Sequence, residues 1–371
     1  MKRLIAAVTA MMLLFALTAS GEETAKSGDY YYRVLEDGTA EITKYDNNER
    51  RPEIPSELDG YEVTRIGERA FNVRYGITDI TIPDSVRYIG KQAFFCCWNL
   101  TTVTIPGSVE IIDQDAFQEC DKLSELTICD GVKSIGDRAF FNCNGFADLT
   151  IPASVTSIGD WAFHGCRSLI SVTVPDSVTY IGVNPFRNCK KLESIQVTPE
   201  NRYLKVTDGV LFSKPDRKLV CYPCGLPQSD YIIPEGTRAI GTNAFFCCQG
   251  LTSVTIPGSV RDMGEAAFIG CENLVSVTIC SGVKVIGYCA FSDCVNLTSV
   301  TIPDSVTTIE EYAFNNCWSL TSLTIPAGVK KIDKYAFANC SETLVFTVEK
   351  GSYAEKFCKK YGYTYQYPAK N

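Results

Sequence analysis

The sequence predicts an α/β solenoid, and three observations carry that prediction. A phenylalanine returns every 23 residues, as Phe71, Phe94, Phe117, Phe140, Phe163 and Phe186, and again as Phe245, Phe268, Phe291, Phe314 and Phe337. A cysteine follows three residues behind each from Phe94 onward, from Cys97 to Cys340. Between successive phenylalanines lies one alternating apolar stretch, ended in most coils by proline. A fixed period of this length marks coils that bury their apolar sides only by stacking on one another.

The elements follow in chain order. Residues 1–20 read as a secretory signal peptide: Lys2 and Arg3, an apolar run from Leu4 to Leu17, then Thr18, Ala19 and Ser20. The run is short for a membrane span, so no transmembrane segment is expected once the leader is removed. Residues 21–55 read as an N-terminal β-hairpin cap turning at Glu36, Asp37 and Gly38. The first repeat block is placed at 56–197 and the second at 231–348.

Within a coil, Leu297, Val300 and Ile302 alternate inward as one short parallel strand requires. Pro303 cannot donate to a ladder and ends it, and Asp304 and Ser305 supply the turn. Val306 and Ile309 return to the core. Ala313, Phe314 and Cys317 stand at helical spacing and predict a helical or 3₁₀ turn on the opposite wall. From Phe186 to Phe245 there are 59 residues, two periods plus 13. The extra length marks a β-hairpin island at 198–230, with Val210 to Phe212 and Lys218 to Tyr222 flanking a turn at Pro215. Residues 349–371 read as a C-terminal cap, with a helix begun by Ser352 and ended by Gly362, then a strand.

The linked pattern AFxxCxxL, VTIP, SV and IG, as in Ala162, Phe163, Cys166, Leu169, Val172, Val174, Pro175, Val178 and Ile181, resembles the BspA-like leucine-rich-repeat family of secreted and surface proteins. The likeness runs from about Tyr30 to the C-terminus. It implies a right-handed leucine-rich-repeat superhelix and adhesion to host matrix proteins, other cells or surface glycans. One departure stands out. The ninth coil position, usually Asn or Cys in leucine-rich repeats, holds Ser or Gly here, for example Ser154, Ser305, Gly131 and Gly282.

Composition narrows the function further. The net charge of −8 becomes −10 when Lys2 and Arg3 leave with the leader, which argues against nucleic acid as a partner. Eighteen cysteines in an exported chain invite disulfides. Those in the 23-residue column, however, would stack about 4.7 to 4.9 Å apart, outside the Cβ approach of about 3.5 to 4.5 Å that a disulfide needs. They are expected to be buried packing thiols. Cys221 and Cys224 form a lone CxxC, open to a local disulfide or to unpaired thiols. His164 is the only histidine, so a histidine-rich metal site is ruled out, and no nucleophile has a second candidate base. No phosphate-binding glycine motif occurs. No cofactor and no metal are expected.

Two surfaces remain. Threonines at 81, 104, 127, 150 and 173, and at 255, 278, 301, 324 and 347, form a column on the wet side of the strands. It could face a glycan or ice, or simply suit a parallel sheet. Trp98, Trp161, Tyr312, Trp318 and Tyr335 occupy variable coil positions, where rings either anchor a partner or seal the gaps between coils. The expectation is a secreted or cell-surface, monomeric, non-enzymatic adhesion protein with an extracellular protein or glycan ligand, from host matrix or cell surface. A structural or spacer component is the alternative, with a carbohydrate-active enzyme behind it.

Overall fold

In a computed structural model, which describes residues 24–369, each coil crosses two strand walls and one wall of turns; the leader read at 1–20 lies outside these residues. The first apolar stretch forms a strand of three or four residues, as at Thr102–Ile105 and Glu125–Ile128. Neighbours pair in parallel without slip, Val103 beside Leu126 and Thr104 beside Thr127. A side-chain period of two therefore sends the aliphatic residues inward and the threonines outward in columns.

A second strand of two residues follows in each coil, which the expectation of one strand per coil missed. Ile111–Ile112, Ser134–Ile135 and Ser157–Ile158 pair in parallel. Two residues are too few to show alternation in a sequence, yet their peptide groups still need partners, and the next coil supplies them.

The wall carrying the phenylalanines holds no helical turn, and the α/β label gives way to a β-solenoid. The residues two before and two after the ring adopt left-handed backbone, as at Gln92 (φ 55°) and Cys96 (φ 58°). Alternate N–H groups then run along the stack: Arg69 to the Lys91 carbonyl at 3.0 Å, Phe71 to Ala93 at 2.7 Å, Val73 to Phe95 at 2.8 Å. A helix would direct those groups along its own axis instead. Tyr353–Tyr361 is the one helix among the described residues, with the Ser352 hydroxyl accepting from the Glu355 N–H and Gly362 left-handed at its end.

The phenylalanine rings stack face to face at 4.4 to 5.8 Å between centroids. Tyr45 continues the spine beneath Phe71 at 5.1 Å, and Tyr222 beneath Phe245 at 4.9 Å. All 13 extra residues thus fall between Phe186 and Tyr222, since Tyr222 to Phe245 is again 23. There Leu204–Thr207, Val210–Ser213 and Lys218–Cys221 form an antiparallel meander, whose last strand joins the short-strand wall beside Ala239–Ile240. Two hydrophobic cores meet at this meander, one reaching back to Tyr32 and the other forward to Cys358.

The Ser and Gly column works as pairs. Where glycine precedes serine in the stack, the serine hydroxyl bridges backbone groups: Ser154 accepts from Gly131 N–H at 2.7 Å and donates to Val132 at 2.8 Å, and Ser305 does the same with Gly282 and Val283. Ser108 and Ser177, which follow serines, have buried hydroxyls without a partner among the described residues.

Candidate functional site

The two coil positions flanking the ring, two before and one after, project from the wall of turns and line a shallow groove of about 560 Å³. Its polar half is an ordered network. Asp115, 3% exposed, accepts from Arg138 Nε at 2.7 Å, from Arg138 Nη2 at 3.3 Å and from Gln114 Nε2 at 3.1 Å. The Arg69 Nε in turn donates to Gln92 at 2.7 Å. Its apolar half contains Trp161. Phe141 stacks on His164 at 4.3 Å, and the Arg187 guanidinium lies 3.6 Å above Phe246 and 5.7 Å from Trp161.

Burial holds the His164 pKa down at about 4, with Arg187 and then Arg167 adding to the effect. The imidazole is therefore neutral near pH 7. Trp161 Nε1, His164 Nδ1 and Arg187 Nε are all buried without a hydrogen-bond partner among the described residues. The meeting of Arg187 with Phe246, 59 residues apart, depends on the meander. Lys218–Cys221 and Tyr222 form a coil shortened on this wall, so Asn184 donates directly to the Asn243 carbonyl at 2.6 Å. The remainder of 13 between the phenylalanine runs was the one sequence signal of this irregularity.

The other candidate aromatics are not gathered in one place. Tyr312 and Tyr335 stack at 5.5 Å and 8°, with Tyr288 edge-on to Tyr312 at 6.3 Å and Lys334 Nζ 4.3 Å over Tyr335. Trp98 is 45% exposed and stacks on Tyr75 at 6.3 Å. Trp318, 61% exposed and six residues beyond Tyr312, has no ring partner among the described residues.

The column cysteines do more than fill space. Each free one points its Sγ at the carbonyl of the phenylalanine one coil back: Cys97 to Phe71 at 3.3 Å, Cys271 to Phe245 at 3.0 Å, Cys294 to Phe268 at 3.3 Å. Burial pushes several of them up, Cys271 and the half-buried Cys340 to about 12 and Cys97, Cys120 and Cys294 well above the ordinary range.

The CxxC does not close on itself. Cys221 is a buried free thiol, and the disulfide joins Cys224 to Cys248, with Cα atoms 4.5 Å apart. Cys221 immediately precedes the core ring Tyr222 and faces inward, while Cys224 lies beyond the ring on the turn wall against the Phe246 carbonyl. The column expectation fails at Cys248 for a related reason. Residues in step point the same way and keep their Cβ atoms a strand spacing apart, whereas Cys224 and Cys248 are 24 residues apart, one out of step, and share no such alignment. Among the described residues no three His, Cys, Asp or Glu side chains are grouped to hold a metal ion.

A family model described as a BspA type leucine rich repeat region matches in six copies, over residues 57–145, 110–207 and 220–344. Among solved structures, a leucine rich cell surface protein from Faecalibacterium prausnitzii is 32% identical, with a TM-score of 0.74, covering 91% of this chain and 98% of that one. A leucine-rich repeat protein from Bacteroides ovatus is 27% identical at a TM-score of 0.58, covering 96% and 100%. One from Eubacterium ventriosum, 23% identical at 0.60 over 85% and 94%, shares the fold. No match is found among curated proteins.

Proposed function

The chain belongs to the BspA-type leucine-rich-repeat family, and from that premise we propose that it is a non-enzymatic protein displayed outside the cell, holding a protein or glycan partner against exposed aromatic side chains. The leader read at 1–20 would export it, and the structures at 21–55 and 349–371 would cap its ends. Its likeness to a cell surface protein of Faecalibacterium prausnitzii supports that location.

One observation carries the binding role. Trp161 (φ 53°) and Tyr312 (φ 57°) sit in the left-handed slot two residues before the ring, which Asn184 and Asn243 fill in two other coils and Arg69, Gln92, Asp115, Arg138, Ala266 and Cys289 in further ones. Left-handed backbone disfavours bulky side chains, at about 1 to 2 kcal/mol relative to glycine. Asparagine meets that backbone at lower cost and those other coils fill the slot with non-aromatic residues, so the fold itself does not call for rings there. Stacked tyrosines with polar edges suit a sugar ring or a protein hot spot.

Surface plasmon resonance against host matrix proteins, with a glycan array in parallel, tests the reading. A Tyr312→Ser, Trp318→Ser, Tyr335→Ser variant should lose binding while melting as the parent does, and a separate Trp161→Asn variant should lose binding while melting no lower than the parent. Lowered melting with binding retained in the folded fraction would reduce the rings to seam sealing. The absence of any saturable ligand would favour a spacer.

A further inference from the structure

Four cations stand in register from the meander into the second block, against a net charge of −8. The residue entering the short strand is Arg217, then Arg238, then Arg261, with each N–H bonded to the carbonyl one coil back, Arg238 to Arg217 and Arg261 to Arg238, both at 2.8 Å. Lys284 holds the same place one coil on, entering Val285–Ile286 and accepting from the Thr307 N–H at 2.8 Å. All four are exposed. Lys205 and Lys214 extend the line at the meander, where with Arg217 they rim a pocket of about 320 Å³.

The coil does not require these charges. In the first block the same backbone position holds Thr64, Arg87, Glu110, Lys133, Thr156 and Thr179, linked by the same ladder at 2.8 to 2.9 Å. Like charges on adjacent strands, about 4.8 Å apart, destabilise a sheet. Among the described residues none of the six cations forms an ion pair with a carboxylate. The Arg261 guanidinium rests on the Gly258 and Gly282 carbonyls, and Lys214 Nζ donates to the Asn201 carbonyl at 2.5 Å. With no direct ion-pair partner among the described residues, the row is left open to an external anion.

We propose that this row binds a linear acidic polysaccharide, with carboxylate or sulfate groups meeting successive rungs and one group entering the pocket at Arg217. The shape of the charge selects that partner. The row is one residue wide and flanked by exposed Asp216, Glu235 and Asp262, which suits a single file of anions. An anionic membrane would set its headgroups against those carboxylates as well. Single-stranded nucleic acid needs stacking rings, and the ring at the row, Phe212, is 3% exposed beneath Lys205.

The inference goes beyond the aromatic reading and concerns a different wall. The test uses the mature chain with a short heparin fragment, its desulfated and N-acetylated form, phosphatidylserine vesicles and single-stranded DNA, each followed by calorimetry across a salt series. The heparin fragment should bind. Arg238→Thr with Arg261→Thr, a residue the position accepts elsewhere, should weaken it roughly tenfold and lower the slope of log K against log salt by about 2. Melting should be unchanged or raised, because repulsion is relieved. The Tyr312, Trp318 and Tyr335 variant should bind heparin normally, so failure of the aromatic site and failure of this one are read separately. No binding, binding unaffected by the threonine variant, or vesicles or DNA bound as tightly as heparin would overturn the proposal.

Discussion

Replacing Phe291 with alanine tests the packing logic of the whole array. Phe291 is fully buried, 5.1 Å from the Phe268 ring and 5.5 Å from Phe314, nearly parallel to both. Buried Phe→Ala changes cost about 3 to 5 kcal/mol, more where the site cannot collapse. Collapse is resisted here, because Phe291 N–H is tied to the Ala313 carbonyl and Phe268 N–H to Ala290, both at 2.8 Å. The coils above and below cannot close on the gap, which places the loss toward about 5 kcal/mol. Stability in a solenoid is a nearest-neighbour sum, and the core divides at the meander. Hydrogen exchange should therefore quicken around the coils of Phe268 to Phe314 and leave those of Phe71 to Phe163 protected. Urea denaturation supplies the magnitude and exchange mass spectrometry the location. A loss below about 1 kcal/mol, or an even loss of protection across both blocks, would refute the reasoning.

The remaining expectations are smaller. Val73, β-branched at φ 58°, occupies the slot that Asn142, Asn316 and Gly165 fill elsewhere, so Val73→Asn should stabilise by about 1 kcal/mol in a urea titration. Cys294→Ala should cost about 1 to 2 kcal/mol, since the Phe268 carbonyl loses the thiol but keeps the Cys271 N–H at 3.3 Å. Alkylation of the native protein should spare the buried column thiols until unfolding, and peptide mapping should recover Cys224 linked to Cys248. His164 has its folded pKa lowered to about 4 from an ordinary 6.5. Its contribution to stability is thus fully present above 6.5 and is lost as pH falls toward 4. Its single imidazole NMR signal should not shift between pH 7 and 5.5, and His164→Gln should flatten the acid limb of stability; a midpoint near 6.5 in the folded protein would contradict its burial.

What the sequence discloses here is what side chains repeat. Phe71 to Phe337, the Val and Ile columns and the Ser352 to Gly362 helix leave side-chain periods or caps that can be read directly. The second strand, the left-handed slots at Gln92 and Cys96, and the thiol donated to Phe71 by Cys97 are backbone facts. The residues in those slots vary from Arg to Trp, so no composition marks them. Tyr45 was missed as a spine member because it stands 26 residues before Phe71, out of step, and Tyr222 because it is a tyrosine in a phenylalanine column and, though 23 residues before Phe245, stands 36 after Phe186. The candidate aromatics could be chosen from the sequence, but their distribution could not. Arg187 above Phe246 depends on how an irregular coil lets two distant ones touch.

The row of sulfur donors also bears on how the chain must be made. In the finished array the free column thiols, all but the half-buried Cys340, are shut away with their protons committed to the carbonyl one coil back. Before the coils stack, all 18 cysteines are open to one another in whatever oxidising medium the chain meets. A cystine between any two column positions would hold those turns out of step and stop the array there. In such a medium assembly would have to outrun oxidation, and contacts between successive coils favour that order, because each turn closes on the one just laid down. Cys224 and Cys248 are free to pair without penalty, since their bond staples neighbours already in place.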